Sequence, residues 1–117
     1  MKYLMLVCVD GSVDLTREDE PVEEGAPAEE GSIEVWLAET GKRWLDGDRL
    51  RPPAEATTVR VRDGRTVLSD GPFAETKEQI AGYDVLDCAD LDEAIEIASK
   101  HPVAPFGMLE LRPFWTG

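Results

Sequence analysis

An α+β sandwich, with helices covering one face of an antiparallel sheet, is the fold class that this 117-residue sequence predicts. Three observations predict it. Tyr3–Val9 is apolar at every position, Val59 to Leu68 carries a hairpin signal, and helical spacing occurs twice, after Ser32 and after Asp90. A chain of this length is expected to form one domain that buries roughly two thirds of its unfolded surface. A hydrophobic content of 42% supplies the core.

In the first strand, Tyr3, Met5, Val7 and Val9 share one face and Leu4, Leu6 and Cys8 the other. A strand apolar on both faces has to be covered on both. Helices can cover one, and a partner subunit is a candidate for the second. From Asp10 to Ser32 the chain crowds Glu18, Asp19, Glu20, Glu23, Glu24, Glu29 and Glu30 among Pro21, Gly25, Pro27 and Gly31. Those breakers argue against one unbroken helix. The segment reads as a loop, or a loop with a short helical turn, that like-charge crowding makes mobile.

Ser32 then reads as an N-cap, with Ile33, Trp36, Leu37, Thr40 and Trp44 on a helical stripe and Gly41 as its end or weak point. Residues 45–53, LDGDRLRPP, hold a short strand closed by two prolines. In TTVRVRDGRTVLSD, Val59 and Val61 alternate with Arg60 and Arg62, and Asp63-Gly64 is a hairpin turn pair. The pattern points both arginines to one face of the ribbon.

Gln79 to Cys88 reads as a strand through Ile80, Tyr83, Val85 and Leu86. Asp90 caps the second helix with Glu93 at capping-box spacing, and Leu91, Ala94, Ile95 and Ala98 form the expected buried stripe. His101-Pro102 ends it. Met108 to Arg112 closes the fold, with Leu109 and Leu111 inward and Glu110 and Arg112 opposite. The order is strand, helix, hairpin, strand, helix, strand. Two βαβ-like halves of this kind build a ferredoxin-like sandwich. Its uncovered sheet face would be buried by sheet-to-sheet dimerisation.

The net charge of −13, from 25 acidic and 12 basic residues, repels phosphate backbones and anionic membranes, so no direct nucleic-acid or membrane partner is expected. The first apolar run is too short to span a bilayer and no small-residue cleavage site follows it, so the expectation is a cytoplasmic protein. Cys8 and Cys88 sit in strand-like runs and read as reduced thiols. There is no CxxC, and a single histidine with two separated cysteines gives no metal-ligand spacing, so neither metal nor cofactor is expected.

The stretch SDGPFAETKE, residues 69–78, follows the hairpin. Gly71 admits backbone angles closed to other residues, Pro72 fixes its own, and Asp70 can accept from amides just ahead, so the turn is built to be stiff. Phe73 is its natural anchor. On local physics alone the turn is a connector that redirects the chain. The run TTVRVRDGRTVLSDGPFAETKEQIAGYDVLDCADLDEAIEIASKHP, with GMLELRPFW after it, resembles the DGPF branch of the YCII-related family over about residues 48 to 115. The resemblance implies a dimeric α+β barrel of ferredoxin-like units, in small bacterial proteins that are largely without established activity. Several of those proteins are encoded beside, or fused to, extracytoplasmic-function sigma factors. The wider family carries a first-helix histidine and an aspartate before a proline after the second helix, proposed as a catalytic pair. Here no histidine lies near the first helix, and His101 stands before Pro102 where the aspartate would be. That pair is not carried over.

The candidate ligand-binding residues are Asp70, Phe73, Glu75, Lys77, Arg60 and Arg112, with Glu78 and Glu110 as charged neighbours; the candidates for catalysis are Asp70, His101 and Glu75. Opposite charges beside a dimer cleft can bind a small polar ligand or move a proton. The bland alternative is a set of ion pairs bracing the turn. His101 is the one side chain that ordinarily titrates near neutrality, and a helix-terminal position would favour its charged form against the last carbonyls. The preferred expectation is a homodimeric, small-molecule-binding or regulatory module associated with such a sigma factor. The alternative is a lyase- or isomerase-type enzyme using acid-base chemistry in the cleft.

Overall fold

The computed structural model describes residues 1–10, 32–72 and 77–116. The acidic segment expected to be a loop, and the turn residues Phe73 and Glu75, lie outside them. Eight regular elements follow in chain order: β1 (Lys2–Asp10), α1 (Ile33–Thr40), β2 (Trp44–Arg49), β3 (Thr57–Arg62), β4 (Arg65–Asp70), β5 (Glu78–Asp87), α2 (Leu91–Ser99) and β6 (Met108–Pro113). Four strands form one sheet in the order β2-β5-β1-β6, every neighbouring pair antiparallel. This is the ferredoxin-like arrangement, with the β3–β4 hairpin inserted between its second and third core strands as a separate two-stranded sheet.

Strand alternation places the core. Tyr3, Met5, Val7 and Val9 on β1 are buried with Leu86 and with Trp36, Ala94, Ile97 and Ala98 from the helices. Cys88 and Val103 complete the cluster. Each helix is capped as its sequence requires. The Val35 amide donates to Ser32 Oγ at 3.3 Å, and Gly41 closes α1 at φ 59°. The Glu93 amide donates to Asp90 Oδ1 at 2.9 Å, while Glu93 Oε1 accepts from the Ala89 amide rather than from that of Asp90. The capping box is thus displaced by one residue.

Two helical stripes differ from expectation. Ile33 is exposed, and Trp44 belongs to β2, because Gly41 turns the chain through one short 3-10 turn before the last residue of that stripe is reached. In α2, Ala94, Ile97 and Ala98 face the sheet, leaving Leu91 50% and Ile95 49% exposed. Both stripes fit a period of 3.6; docking on the sheet selects the one rotated toward Ile97. β1 and β5 carry a bulge at Ala81, where the register jumps between Val7↔Gly82 and Cys8↔Ile80.

Gly107 precedes β6 where backbones nearly touch. A Cβ there would stand 2.5 Å from the Cys8 carbonyl oxygen and 2.5 Å from Val103 Cγ1. One of these neighbours is main chain and cannot swing aside. Gly107→Ala is therefore expected to lower stability by about 1–3 kcal/mol, read as a lower midpoint in urea at unchanged slope. An unchanged midpoint would show that the close approach relaxes freely.

Candidate functional site

On the side of the four-stranded sheet away from the helices, apolar and ionisable groups among the described residues meet across all four strands. The registers Leu4↔Val85, Leu6↔Tyr83, Leu4↔Arg112 and Leu6↔Glu110 fix who shares it. Leu4, Leu6, Cys8, Tyr83 and Val85 are half-buried at its centre. Asp46 and Asp48 on β2 pair with Val85 and Tyr83 and rim one edge, and both are exposed. On β6, Arg112 Nε donates to Glu110 Oε2 at 2.8 Å, an exposed pair on the opposite rim. The result is an apolar floor between two charged margins, a surface that can hold a small molecule with an apolar body and polar ends.

Cys8 lies within this floor. Burial pushes its thiol above the ordinary value, and the Glu110 and Glu78 carboxylates push it further up. A thiol held in its protonated form lines the surface and is a poor nucleophile.

The residues singled out from sequence are dispersed. Asp70 ends β4 opposite Thr57 and is exposed, on the ribbon face that also carries Val59 and Leu68. Arg60 pairs with Val67 on the other ribbon face. Behind Asp70, Gly71 takes φ 94°, its amide donates to the Ala56 carbonyl at 2.7 Å, and Thr58 Oγ1 donates to the Gly71 carbonyl at 2.8 Å. These bonds staple the hairpin's base, which is the connector role the local physics suggests. Lys77 is exposed just ahead of β5, and Arg112 is on the open sheet face. Within one chain the described residues do not bring Asp70, Arg60, Arg112 and His101 to one point.

His101 is a correction. It is buried, its ring packs edge-on against Trp36 at 4.8 Å and 69°, and its Nδ1 accepts from the Val103 amide at 3.0 Å. Burial lowers its pKa to about 4, so it is neutral at physiological pH. The expected charged histidine beside the last helical carbonyls is not what forms. The chain turns inward after Ser99, and desolvation outweighs any attraction to the helix end.

Sequence reasoning missed Asp84. It pairs with Met5 and Gly47 and faces the helix side, in phase with Leu86. The Trp44 Nε1–H donates to its Oδ1 at 2.8 Å. The carboxylate occupies the space that a side chain at Gly47 would need. Burial raises its pKa to about 6, and the Trp44 bond offsets part of that rise. The signal was available, since an acid alternating in step with Leu86 must be buried. Asp84 and the open floor nevertheless lie on opposite sides of the sheet. Between α1 and α2, a notch beside Trp36, Arg43 and Lys100 has room for a water or two and no more. Among the described residues no group of three or more His, Cys, Asp or Glu side chains is placed to hold a metal ion, and no helix is long and apolar enough to cross a membrane.

Fold and surface together define a small ferredoxin-like α+β domain with one helix-covered face, one open acid-rimmed face and an inserted hairpin. The family model described as YCII-related domain matches residues 5–116, and the chain belongs to that family. An uncharacterized protein of Rhizobium meliloti (strain 1021) is 48% identical to it over 67 residues, which is 56% of this chain and 54% of that protein. The chain thus spans about half the length of this relative.

Proposed function

We propose that this YCII-related protein is a small-molecule-binding or regulatory module that works as a homodimer in the cytoplasm. Two copies close their open sheet faces around a small polar ligand. The observation that carries this reading is the half-buried apolar floor of Leu4, Leu6, Tyr83 and Val85 bounded by the Glu110–Arg112 pair. Apolar strand faces left partly wet are stabilised by a second layer. Dimerisation also offers a route for Asp70, Lys77 and Arg60, with Phe73 and Glu75 of the same turn, to approach a cleft that one chain does not assemble. Membership of the family's DGPF branch belongs to this reading, as does an extracytoplasmic-function sigma factor as partner. A surface carrying −13 suits a basic protein partner. Acid-base catalysis of lyase or isomerase type is the weaker reading, because His101 is enclosed and neutral and the family's proposed pair is absent.

A thermal-shift screen against a metabolite library tests the reading. A ligand present at about a hundred times its Kd raises stability by about 2.7 kcal/mol. That shift is expected in the wild type and is expected to shrink in Arg112→Ala and in Asp70→Asn. A ligand whose shift survives both substitutions in full would remove these residues from the site.

A further inference from the structure

Among the described residues, no layer covers either side of the β3–β4 hairpin. Every residue of β4 is exposed, and β3 has only Thr58 and Arg60 partly covered. Val59, Val61 and Leu68 are 60%, 60% and 65% exposed. Register puts them together, with Val59 opposite Leu68 and Val61 opposite Thr66, so one face of the arm is an apolar strip. An isolated two-stranded hairpin is at best marginally stable in water, and an uncovered apolar ribbon invites pairing. The ordered arm therefore calls for a covering partner.

Charge indicates which partner. Residues 57–70 hold three arginines, Arg60, Arg62 and Arg65, against Asp63 and Asp70, a net of +1 that leaves −14 on the rest of the chain. Arg60 and Arg62 share the face opposite the apolar strip with Arg65, and none of the three makes an ion pair among the described residues. Two copies of a chain this acidic repel one another unless opposite charges meet locally. The arm, whose three arginines are in no ion pair among the described residues, can supply the positive side of that contact, and each copy supplies the negative side through its acidic body. Asp46 and Asp48 at the rim of the open face belong to that body. Under two-fold symmetry the contact is made twice.

We infer that the arm formed by β3 and β4 seats on a second copy of this chain, its Val59–Val61–Leu68 strip against that copy's body and its arginines reaching past the ribbon edge to that copy's acidic rim. The inference rests on the homodimer proposed above and adds to it an interlocking element outside the sheet seam. Long guanidinium side chains can lie along the ribbon while their heads reach the edge.

Sedimentation equilibrium over a wide concentration range, together with amide exchange of residues 58–69, tests it. The paired substitution Val59→Glu with Leu68→Glu is expected to weaken the dimer by at least about tenfold. The triple substitution Arg60→Glu, Arg62→Glu, Arg65→Glu is expected to do the same, and added salt should weaken the wild-type dimer. Arm amides should be protected at concentrations that favour the dimer and exposed on dilution. All five positions are solvent-exposed or rim sites, so circular dichroism of the variants should match the wild type. Dimer constants unchanged in both variants, or arm protection independent of concentration, would overturn the arm contact and leave the dimer standing. Leu6→Glu separates the two ideas. If it leaves dimerisation intact while the arm variants abolish it, the seam reading falls and the arm contact remains. A wild type monomeric at every concentration overturns both.

Discussion

Trp36→Ala is expected to lower stability by about 3–5 kcal/mol, the range for removing a large buried aromatic side chain. Trp36 is 2% exposed and joins three parts of the molecule. Its body fills the space between α1 and the sheet. Its Nε1–H donates to the Ile97 carbonyl at 2.9 Å, binding α1 to α2. Its ring also meets that of His101 edge-on, a geometry worth about 0.5–1.5 kcal/mol beyond area burial. Trp36→Phe keeps most of the volume and removes only the indole bond, since the Ile97 carbonyl still accepts from the Lys100 amide at 3.2 Å, so a loss of about 0.5–1.5 kcal/mol is expected from the missing bond. Chemical denaturation of both would show whether the cost follows volume or the hydrogen bond. Equal losses would mean that the contact between helices, and not packing, holds the layer.

Asp84→Asn is expected to make stability fall more steeply than the wild type's as the pH drops from 6.5 to 4, by roughly 3 kcal/mol across that range. Two buried groups with opposite signs produce this. His101 has a folded pKa of about 4 against an ordinary 6.5. Between those values the unfolded chain binds the proton and the folded chain does not, so its contribution is complete above 6.5 and is lost as acid is added. Asp84 has a folded pKa of about 6 against an ordinary 3.8. In that window the folded chain holds the proton and the unfolded chain does not, so its burial is least costly in acid and destabilises progressively as pH rises through 6. Shifts of about two units correspond to roughly 3 kcal/mol each, over almost the same range, and they oppose one another. Asparagine removes the second slope and exposes the first, while its side-chain oxygen can still accept from Trp44. Urea midpoints measured at several pH values, for wild type and variant, decide the matter. Parallel profiles would mean that Asp84 titrates alike in the folded and unfolded chain.

Much of the architecture could be read from residue patterns, and the misreadings have identifiable physical sources. The caps at Ser32 and Asp90 and the Asp63-Gly64 turn are local chemistry, which neighbouring residues specify completely; Asp63 and Gly64 indeed take φ 51° and 74°. Alternation in β1 likewise assigned both faces, because a period of two leaves no ambiguity once one face is buried. The α2 stripe was ambiguous, since Leu91–Ala94–Ile95–Ala98 and Ala94–Ile97–Ala98 both obey helical spacing and only the sheet chooses between them. His101 was legible as a position but not as a state, because its neutrality depends on Trp36, 65 positions earlier in the chain. The site residues show the same limit. Asp70 and Arg60 are close in sequence yet lie on opposite faces of one ribbon. Arg112 reached the open face as its alternation with Leu111 suggests.

The placement of the two thiols has a consequence for where such a chain can work. Cys8 stands on the open face, opposite Ile80, while Cys88 lies in the core, its amide bonded to the Met1 carbonyl at the other end of the same sheet. Seven residues of extended chain separate the two ends, roughly 20 Å, several times the span a cystine can bridge. No covalent brace can form between them while the fold persists. The fold therefore draws none of its stability from a cystine between these two thiols.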